Sequence, residues 1–234
     1  GICTDTRKLK KGNLYLALKG DNFNGNNFAA KALELGADYS IVDEQPEEQN
    51  DHIIKVEDGL DTLQKLAAYH RKYLNLPILS ITGSNGKTTT KELIREVLSK
   101  KYKTVSTKGN LNNHIGVPLT LLSMNKETEF GIVEMGANHQ GEIASLCKIA
   151  QPDYGYITNF GKAHLEGFGG VEGVIKGKSE LYNYLIKNNK TIFINYDDEI
   201  QVEKSKGTDI ISFSEGKNAT HQITFLKADP FVKI

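Results

Sequence analysis

Hydrophobic and polar positions in the first 75 residues follow strand and helix periods in turn. The positions that alternate as in strands are Leu14, Leu16 and Leu18, with residues 39–42 and the stretch HIIKV (52–56). The positions spaced for one face of a helix are Phe28, Ala32 and Leu35, then Leu63, Leu66, Ala67 and Leu74 in a helix from Leu60 to Tyr73. We therefore expect a small α/β unit, with Leu14 to Leu18 as a half-buried strand.

Pro77 interrupts the chain, and a strand–helix rhythm begins after it. The predicted strands are 78–81, 103–107, 130–135, 154–158, 190–194 and 209–213. The predicted helices are 88–101, 116–123, 140–149, 172–187 and 197–205. Such alternation is typical of a parallel sheet with crossover helices, which binds its ligands beyond the carboxyl ends of the strands. The sequence thus predicts an α/β protein with two domains, residues 1–76 and residues 77–234.

Composition narrows the possible partners of this chain of 234 residues. Lys plus Arg equal Asp plus Glu at 29 each, so no overall charge attracts nucleic acid or an anionic membrane. The two cysteines, Cys3 and Cys147, form no C-x-x-C motif, which excludes a thiolate metal site of that kind. No apolar run approaches the roughly 20 residues of a membrane span. We expect an intracellular protein that binds anions only at a local site.

The stretch SITGSNGKTTT (80–90) contains that local site. It ends in Gly-Lys-Thr like a phosphate loop, but Ile81 stands where the usual G-x-x-x-x-G-K-[ST] pattern needs glycine. A predicted strand precedes the loop and an amphipathic helix with Leu93, Ile94, Val97 and Leu98 follows it. Backbone amides at a helix N-terminus favour phosphate. The residues predicted to bind nucleotide are Gly83, Ser84, Asn85, Gly86, Lys87, Thr88 and Thr89; a chance Gly-Lys-Thr turn is the alternative.

A carboxylate for a metal ion is predicted on another strand. Glu134 lies near the carboxyl end of the apolar stretch FGIVEM, on the side where the phosphate loop opens. A glutamate that points into solvent is the alternative. Two asparagine-rich loops, 109–116 and 136–141, are predicted at the same rim of the sheet, although Asn and Gly also occur in ordinary turns.

Four stretches together resemble the ATP-dependent Mur ligases of bacterial cell-wall synthesis. They are ITGSNGKTTT, GNLNNHIGVPLTLL, IVEMGANHQGEI and TNFGKAHLEGFGGVEGVIKGKSELY, in this order. The compressed phosphate loop is similar to that of the family. TDTRKLKKGNLYLALKGDNFNG, near the start, is similar to its UDP-sugar-binding domain. The EMGANHQGEI turn resembles the member that adds D-alanyl-D-alanine to UDP-N-acetylmuramoyl-tripeptide.

The resemblance implies a cytoplasmic bacterial peptide ligase that forms ADP. ATP would phosphorylate the carboxylate of the UDP-tripeptide, and the dipeptide amine would then attack the acyl phosphate. Residues 1–76 would bind the UDP-sugar and residues 77–234 would form an incomplete ATP-binding domain, with a third domain absent. The chain alone is expected to be inactive, and a monomer is the default. Another ligase of the superfamily, such as the third-amino-acid-adding or folylpolyglutamate type, or a module that only binds, is the alternative.

The resemblance also assigns roles to individual residues. Lys87, His164 and Lys178 would be catalytic, and two Mg²⁺ ions would be held by Thr88, Glu134, His164 and Lys178. Because an ammonium has no lone pair, Lys178 would serve only after carbamylation by CO₂, which a desolvated pocket assists. An exposed, unmodified Lys178 is the alternative, as is an ordinary loop histidine at 164; Lys176 is a competing candidate for the modified lysine.

The remaining implied residues would bind the substrate. Asn113, Asn138 and His139 are expected near the muramoyl-peptide or the γ-phosphate. Thr6, Arg7 and Asn24 match family positions near the UDP group, where Arg7 suits a diphosphate. The family often has serine at the position of Thr6 and aspartate at that of Asn24, which leaves their contact geometry open.

Overall fold

The computed structural model describes residues 1–46, 50–162, 164–216, 218–224, 227–228 and 232–233. In the first part lie β1 (Ile2–Cys3), β2 (Leu14–Leu16), β3 (Lys19–Gly20), β4 (Phe23–Asn24), α1 (Ala29–Glu34), β5 (Tyr39–Val42), β6 (Ile53–Lys55) and α2 (Gly59–Leu74). Then follow β7 (Ile78–Thr82), α3 (Lys87–Leu98), β8 (Thr104–Ser106), α4 (Gly116–Leu122), β9 (Phe130–Glu134), α5 (Glu142–Ala150) and β10 (Tyr154–Ile157). The rest are α6 (Leu165–Phe168), α7 (Val171–Lys187), β11 (Thr191–Asn195), α8 (Glu199–Lys204), β12 (Ile210–Ser214), β13 (His221–Gln222), β14 (Lys227–Ala228) and β15 (Val232–Lys233).

The first sheet is parallel and has the strand order β1-β2-β5-β6. Strand β2 is buried on both faces together with the residue after it, since Tyr15, Leu16 and Ala17 are at most 1% exposed. Tyr15 and Ala17 pack with α1, whereas Leu16 packs with Leu63 of α2. The prediction of a half-buried strand was therefore wrong, because helices cover both faces of a parallel sheet.

Helix α1 buries a narrower face than the sequence pattern predicted. Ala29 and Ala32 are buried against the first sheet, but Phe28 and Leu35 are 39% and 47% exposed. Residues 25–28 form a short 3-10 helix, so Phe28 precedes the α-helix and does not share its face. Its ring stacks on Phe23 instead, with 5.6 Å between centroids.

The second sheet is also parallel and has the order β13-β12-β11-β10-β7-β9-β8. The chain enters at β7, passes to the edge strand β8, and returns to β9 before it crosses to β10. Strand β7 therefore lies between β9 and β10, and the loops after these three strands meet at one edge. The α/β fold class with parallel sheets is confirmed, and all six strands predicted beyond Pro77 occur within two residues of their expected ends.

Helices cover the two faces of this sheet with separate apolar clusters. On one face, α4, α5 and α7 pack on a core that includes Ile78, Val133 and Ile192. On the other face, Ile94 and Leu98 of α3 pack against Leu79, Ile81 and Ile132. The other two residues predicted for the buried face of α3 are exposed: Leu93 is 64% and Val97 is 71% exposed.

Helix boundaries follow local capping chemistry. Asp58 accepts the amide of Asp61 at the start of α2, and Asn75 ends that helix with a left-handed φ of 48°. Helix α5 begins at Glu142, two residues later than predicted, because Gly141 at its N-cap has a φ of +88°. The short helix α6 and strands β3, β4, β13, β14 and β15 were not predicted. The division at residues 76 and 77 stays a prediction.

A buried arginine joins α2 to the second sheet. Arg71 is 7% exposed; its Nε donates to the Ala150 carbonyl at 3.0 Å, and its Nη2 donates to the Gln151 carbonyl at 3.0 Å and to Asp153 at 2.7 Å. Asp153 also accepts the amide of Ile78 and the ammonium of Lys190. One guanidinium thus satisfies the C-terminal carbonyls of α5 and orders the start of β7.

Replacement of this arginine tests its contribution to stability. We expect Arg71→Met to lower the free energy of unfolding by about 3 kcal/mol, because it removes the donor to the Ala150 and Gln151 carbonyls and the buried partner of Asp153, which keeps only the Ile78 amide and Lys190. Arg95→Met is the matched control; Arg95 is 40% exposed and pairs with Glu92 on the surface, so about 0.5 kcal/mol is expected. Urea unfolding measures both changes, and equal losses in the two variants would contradict the prediction.

Candidate active site

The phosphate loop lies between β7 and α3, and its geometry explains the missing glycine. Ile81 is fully buried within β7, so the strand continues through the position where the longer loop pattern begins. Gly83 then takes the turn with a φ of +140°. A Cβ at this position would collide with the Thr158 hydroxyl and press on the amides of Thr158 and Asn159. Only glycine fits this turn beside the loop that follows β10.

The loop amides divide into two groups. Those of Ser84 and Asn85 donate to the carbonyl and the side chain of Asn159, at 3.1 and 3.2 Å. The N–H groups of Lys87, Thr88 and Thr89 precede the first helical hydrogen bond of α3, from Thr90 to the Gly86 carbonyl, and mark the positive end of the helix. Of the predicted nucleotide-binding set, the first helical turn can therefore offer amides to a phosphate, whereas Ser84 and Asn85 already bind protein.

Lys87 begins α3 and reaches back over the loop. Its Nζ donates to the carbonyls of Gly83 at 2.8 Å and Ser84 at 3.3 Å. Burial lowers the pKa of Lys87, and the nearby carboxylate of Glu134 opposes that shift. The ammonium thus lies over the phosphate loop, and among the described residues its acceptors are two backbone carbonyls, which a phosphate oxygen can replace.

Glu134 lies beside the loop because its strand pairs with β7. Ile81 and Glu134 are partners in the register of β7 and β9. The Glu134 side chain is 1% exposed; Oε2 accepts the Thr88 hydroxyl at 2.9 Å and Oε1 accepts Asn112 Nδ2 at 2.8 Å. The alternative of a glutamate pointing into solvent was wrong.

Glu134 has two partners that the sequence did not predict, and one of them is held by a buried lysine. Asn112 orients the carboxylate, and the Thr107 hydroxyl accepts the Glu134 amide at 2.9 Å. Lys91, fully buried one turn after Lys87, donates to the Thr107 carbonyl at 2.6 Å. Asn112 lies within a motif that had been singled out, but its residue type did not distinguish it from Asn110 or Asn113.

Lys178 is buried on α7 at 1% exposure. Its Nζ donates to the Ala137 carbonyl at 3.2 Å and lies 4.9 Å from the centroid of the Phe168 ring. Burial lowers the pKa of Lys178 to about 8, Lys87 acts in the same direction, and Glu142 and Glu180 oppose. The alternative of a solvated lysine was wrong, whereas the competing Lys176 is exposed.

The turn 136–141, whose Ala137 carbonyl accepts Lys178, is also bound by a second residue of α7. Glu180 accepts the amides of Gly141 at 2.6 Å and Ala144 at 2.9 Å. Glu142 in turn accepts the amides of Asn138 and His139, at 2.7 and 3.2 Å. The N-terminus of α5 is therefore satisfied by carboxylates of the protein itself, which fix the turn 136–141.

His164 stands in the loop between β10 and α6. It is exposed, has a left-handed φ of 56°, and its carbonyl accepts the Phe168 amide at 3.1 Å. Together with Lys87 it lines a groove of about 880 Å³. Other residues that line this groove are Leu60, Gln64, Asn112, Asn113, Asn138, Glu142, Leu146 and Ile149.

The residues predicted to bind the peptide differ in how far their side chains are already bonded within the protein. Asn113 accepts the amides of Ile115 and Gly116 through its Oδ1, so its side chain orders the start of α4. Asn138 is an exposed residue of the groove. The His139 ring is 64% exposed and lies 3.4 Å from Glu142.

Thr6, Arg7 and Asn24 belong to the first part of the chain. Arg7 makes two 2.8 Å hydrogen bonds with Asp5, and this pairing lowers the pKa of Asp5 to about 2. Thr6 begins a short 3-10 helix, and Asn24 is held by Asn26 and Glu44. Within the residues that the structure describes, none of the three lines the 880 Å³ groove.

The donors present fit a magnesium site only in part. Nowhere in the described ranges do three His, Cys, Asp or Glu side chains gather as a metal site would require. The Thr88 hydroxyl and the Glu134 carboxylate suit one hard cation. His164 and an unmodified Lys178 do not hold a second, because an ammonium cannot ligate.

No helix in the described part of the chain is both long enough and apolar enough to cross a lipid bilayer.

Two family descriptions match the chain over most of its length. Residues 81–232 match the Mur ligase middle domain, and residues 1–71 match the Mur ligase family, catalytic domain. A relative from Bacillus subtilis, named UDP-N-acetylmuramoyl-tripeptide--D-alanyl-D-alanine ligase, is 38% identical over 95% of this chain and 49% of its own. One of the same name from Escherichia coli is 41% identical over 80% of this chain and 41% of its own.

A solved structure of a Mur ligase also resembles this chain. Thermotoga maritima MurF ligase in complex with ADP has a TM-score of 0.82 at 34% identity, and the match covers 92% of this chain and 50% of that one. The chain thus spans about half the length of the relatives it matches.

The buried amine of Lys178 gives a testable dependence of stability on pH. Its pKa is about 8 in the folded chain against an ordinary 10.5, so only the unfolded state holds the proton between these values. Stability should rise with pH across that interval. At pH 7 we expect Lys178→Met to raise the free energy of unfolding by about 2 kcal/mol, because the cost of a buried charge is removed.

Urea unfolding at pH 7 and pH 10 in CO₂-depleted buffer measures this effect. The advantage of Lys178→Met over the unsubstituted chain should shrink at the higher pH. Lys176→Met, on the exposed face of the same helix, should change the free energy by no more than about 0.5 kcal/mol at either pH. A less stable Lys178→Met variant at pH 7 would contradict the prediction.

Proposed function

The chain belongs to the Mur ligase family, and from this we propose that it forms part of an ATP-dependent ligase that joins D-alanyl-D-alanine to UDP-N-acetylmuramoyl-tripeptide. The observation that carries the proposal is the buried amine of Lys178. It lies next to a groove that Lys87 and His164 line, and the charge of Lys87 lowers the pKa of Lys178. A phosphate loop alone fits many nucleotide-binding proteins. The additional buried lysine fits carboxylate activation by two metal ions.

The proposed reaction has two steps. In the first, a carboxylate oxygen of the tripeptide forms a bond to the γ-phosphorus of ATP, and the bond from that phosphorus to the β–γ bridging oxygen breaks to release ADP. In the second, the dipeptide amine bonds to the acyl carbon and loses a proton, and the carbon–oxygen bond breaks to release phosphate. The sum is one amide, ADP and inorganic phosphate.

The chain contributes to the first step mainly by positioning and by charge. Nucleotide phosphates and the acceptor carboxylate repel each other, so a site must neutralise them before they can meet. The amides at the start of α3 and the Lys87 ammonium provide positive charge at fixed positions. In this proposal Lys87 exchanges the carbonyls of Gly83 and Ser84 for phosphate oxygens.

Thr88 and Glu134 would hold one Mg²⁺, and His164 with a carbamylated Lys178 would hold a second. When bound, Mg²⁺ supplies positive charge to the phosphate oxygens. Carbamylation forms a bond from Lys178 Nζ to the carbon of CO₂ with loss of a proton, and gives a carboxylate where the unmodified residue has none. Burial beneath Ala137 and beside Phe168 supports this role, because it favours the neutral amine that reacts.

The remaining predicted residues would bind the substrate. Asn113 and Asn138, which line the groove, and His139, next to Asn138 in sequence, would face the muramoyl-peptide or the γ-phosphate. Thr6 and Arg7 would approach the UDP group, for which Arg7 would have to release one of its bonds to Asp5. Asn24, held by Asn26 and Glu44, would support that site. We further propose a monomer that works in the cytoplasm.

Phosphate release by the full-length gene product tests the assignment. It should appear only when ATP, Mg²⁺, UDP-N-acetylmuramoyl-tripeptide and D-alanyl-D-alanine are all present, because each step consumes what the previous one forms. A coupled assay for phosphate measures the rate with each component left out in turn. Release with single amino acids, but not with the dipeptide, would overturn the substrate assignment and favour another ligase of the family.

Lys178→Ala in the same protein tests the role of the buried amine. We expect the turnover rate to fall by about 10²–10³, the loss found when one preorganised charge-stabilising group is removed. Lys176→Ala should retain the full rate, and the unfolding transition of both variants should be recorded to exclude loss of the fold. A rate for Lys178→Ala near that of the unsubstituted protein would show that this lysine is only structural.

A further inference from the structure

The segment 158–161, which follows β10, holds the phosphate loop through side chains that have no assigned role. Thr158 Oγ1 donates to the Asn85 carbonyl at 2.6 Å, and Ser84 Oγ donates to the Gly161 carbonyl at 3.0 Å. The Ser84 amide donates to the Asn159 carbonyl at 3.1 Å. These contacts join residues more than 70 positions apart along the chain.

The Asn159 side chain makes two hydrogen bonds to the backbone of Asn85. Its Oδ1 accepts the Asn85 amide at 3.2 Å, and its Nδ2 donates to the Asn85 carbonyl at 3.1 Å. One carboxamide therefore binds both polar groups of the same residue, as a neighbouring strand would. A carboxylate could accept but not donate, and a hydroxyl is too short to make both bonds, so the geometry suits asparagine.

We propose that Asn159 is a positioning residue that sets the backbone of Asn85 and thereby the conformation of the phosphate loop. The inference rests on the nucleotide site proposed above. A loop fixed before the ligand arrives loses little conformational freedom on binding, which favours affinity. The bonds to Asn159 also occupy the amides of Ser84 and Asn85, which leaves the first turn of α3 to bind the phosphate.

The close packing around Gly83 supports the same role. Gly83 is pressed against Thr158 and Asn159, so the loop and the segment 158–161 are fitted to each other at their backbones as well as through hydrogen bonds. Thr158 itself is anchored, because its amide donates to the Thr82 carbonyl at 2.9 Å, at the end of β7. The support is therefore an extension of the β7–β10 pairing and is rigid enough to position a loop.

The test compares Asn159→Ala with the unsubstituted full-length protein. We expect the affinity for ADP with Mg²⁺, measured by titration calorimetry, to fall about tenfold or more, the effect of losing two hydrogen bonds that order the loop. Thr158→Val should weaken affinity in the same direction and Thr158→Ser should restore it, since serine keeps the hydroxyl. Asn188→Ala, which removes a bond to Tyr184 at the end of α7, is the matched control and should bind normally.

Two further measurements separate positioning from other roles. Without nucleotide, the Asn85 amide should exchange with solvent faster in Asn159→Ala; unchanged exchange would overturn the proposal even if affinity fell. In turnover assays KM for ATP should rise, whereas KM for the dipeptide should not change, which general destabilisation would not produce.

The outcomes also distinguish this inference from the proposed function. ADP binding that is equal in Asn159→Ala and the unsubstituted protein, or absent from both, would overturn the positioning role. An unsubstituted protein that binds ADP but releases no phosphate with the proposed substrates would refute the ligase assignment. The affinity and exchange data would then still decide the role of Asn159.

Discussion

The pairing of β7 with β9 is the constraint on which the site depends. It brings Glu134 beside the phosphate loop, although 46 residues separate the glutamate from Thr88. The resulting hydrogen bond between Thr88 and Glu134 joins the first turn of α3 to the neighbouring strand. On the other side of β7, β10 places Asn159 against the same loop. The loop is thus supported from both neighbours of one central strand, which is what a parallel sheet offers at its carboxyl edge.

Burial of Lys178 is the second determining feature. A lysine at this depth is unfavourable unless it is neutral or paired, and its described contacts are one carbonyl and an aromatic ring. Glu180 and Glu142 bind backbone amides of the adjacent turn and do not form an ion pair with it. The site therefore keeps an amine poised to lose its proton at some expense of stability, a pattern common where chemistry needs a shifted group.

Much of the second sheet could be predicted, because its strands are short apolar runs separated by helical periods. Errors arose where periodicity did not reveal which neighbour covers a face. Leu93 and Val97 fit the helical pattern of α3 as well as Ile94 and Leu98 do, but only the latter pair meets the sheet. In the first sheet, Tyr15 and Ala17 were not predicted as core residues. Helices cover both faces of that sheet, so positions that alternate between the faces are all buried.

The sequence by itself determined the kind of chemistry: a Gly-Lys-Thr turn between a strand and a helix, an acid ending another strand, and the motifs that identify the family. These are local signals, carried by residue type and spacing. Only the tertiary structure decided which side chains act together, since Asn112, Thr107 and Asn159 differ in no local way from the other polar residues of their loops. Strand order and helix packing selected them, because hydrogen-bonding partners far apart along the chain meet only when the sheet has formed.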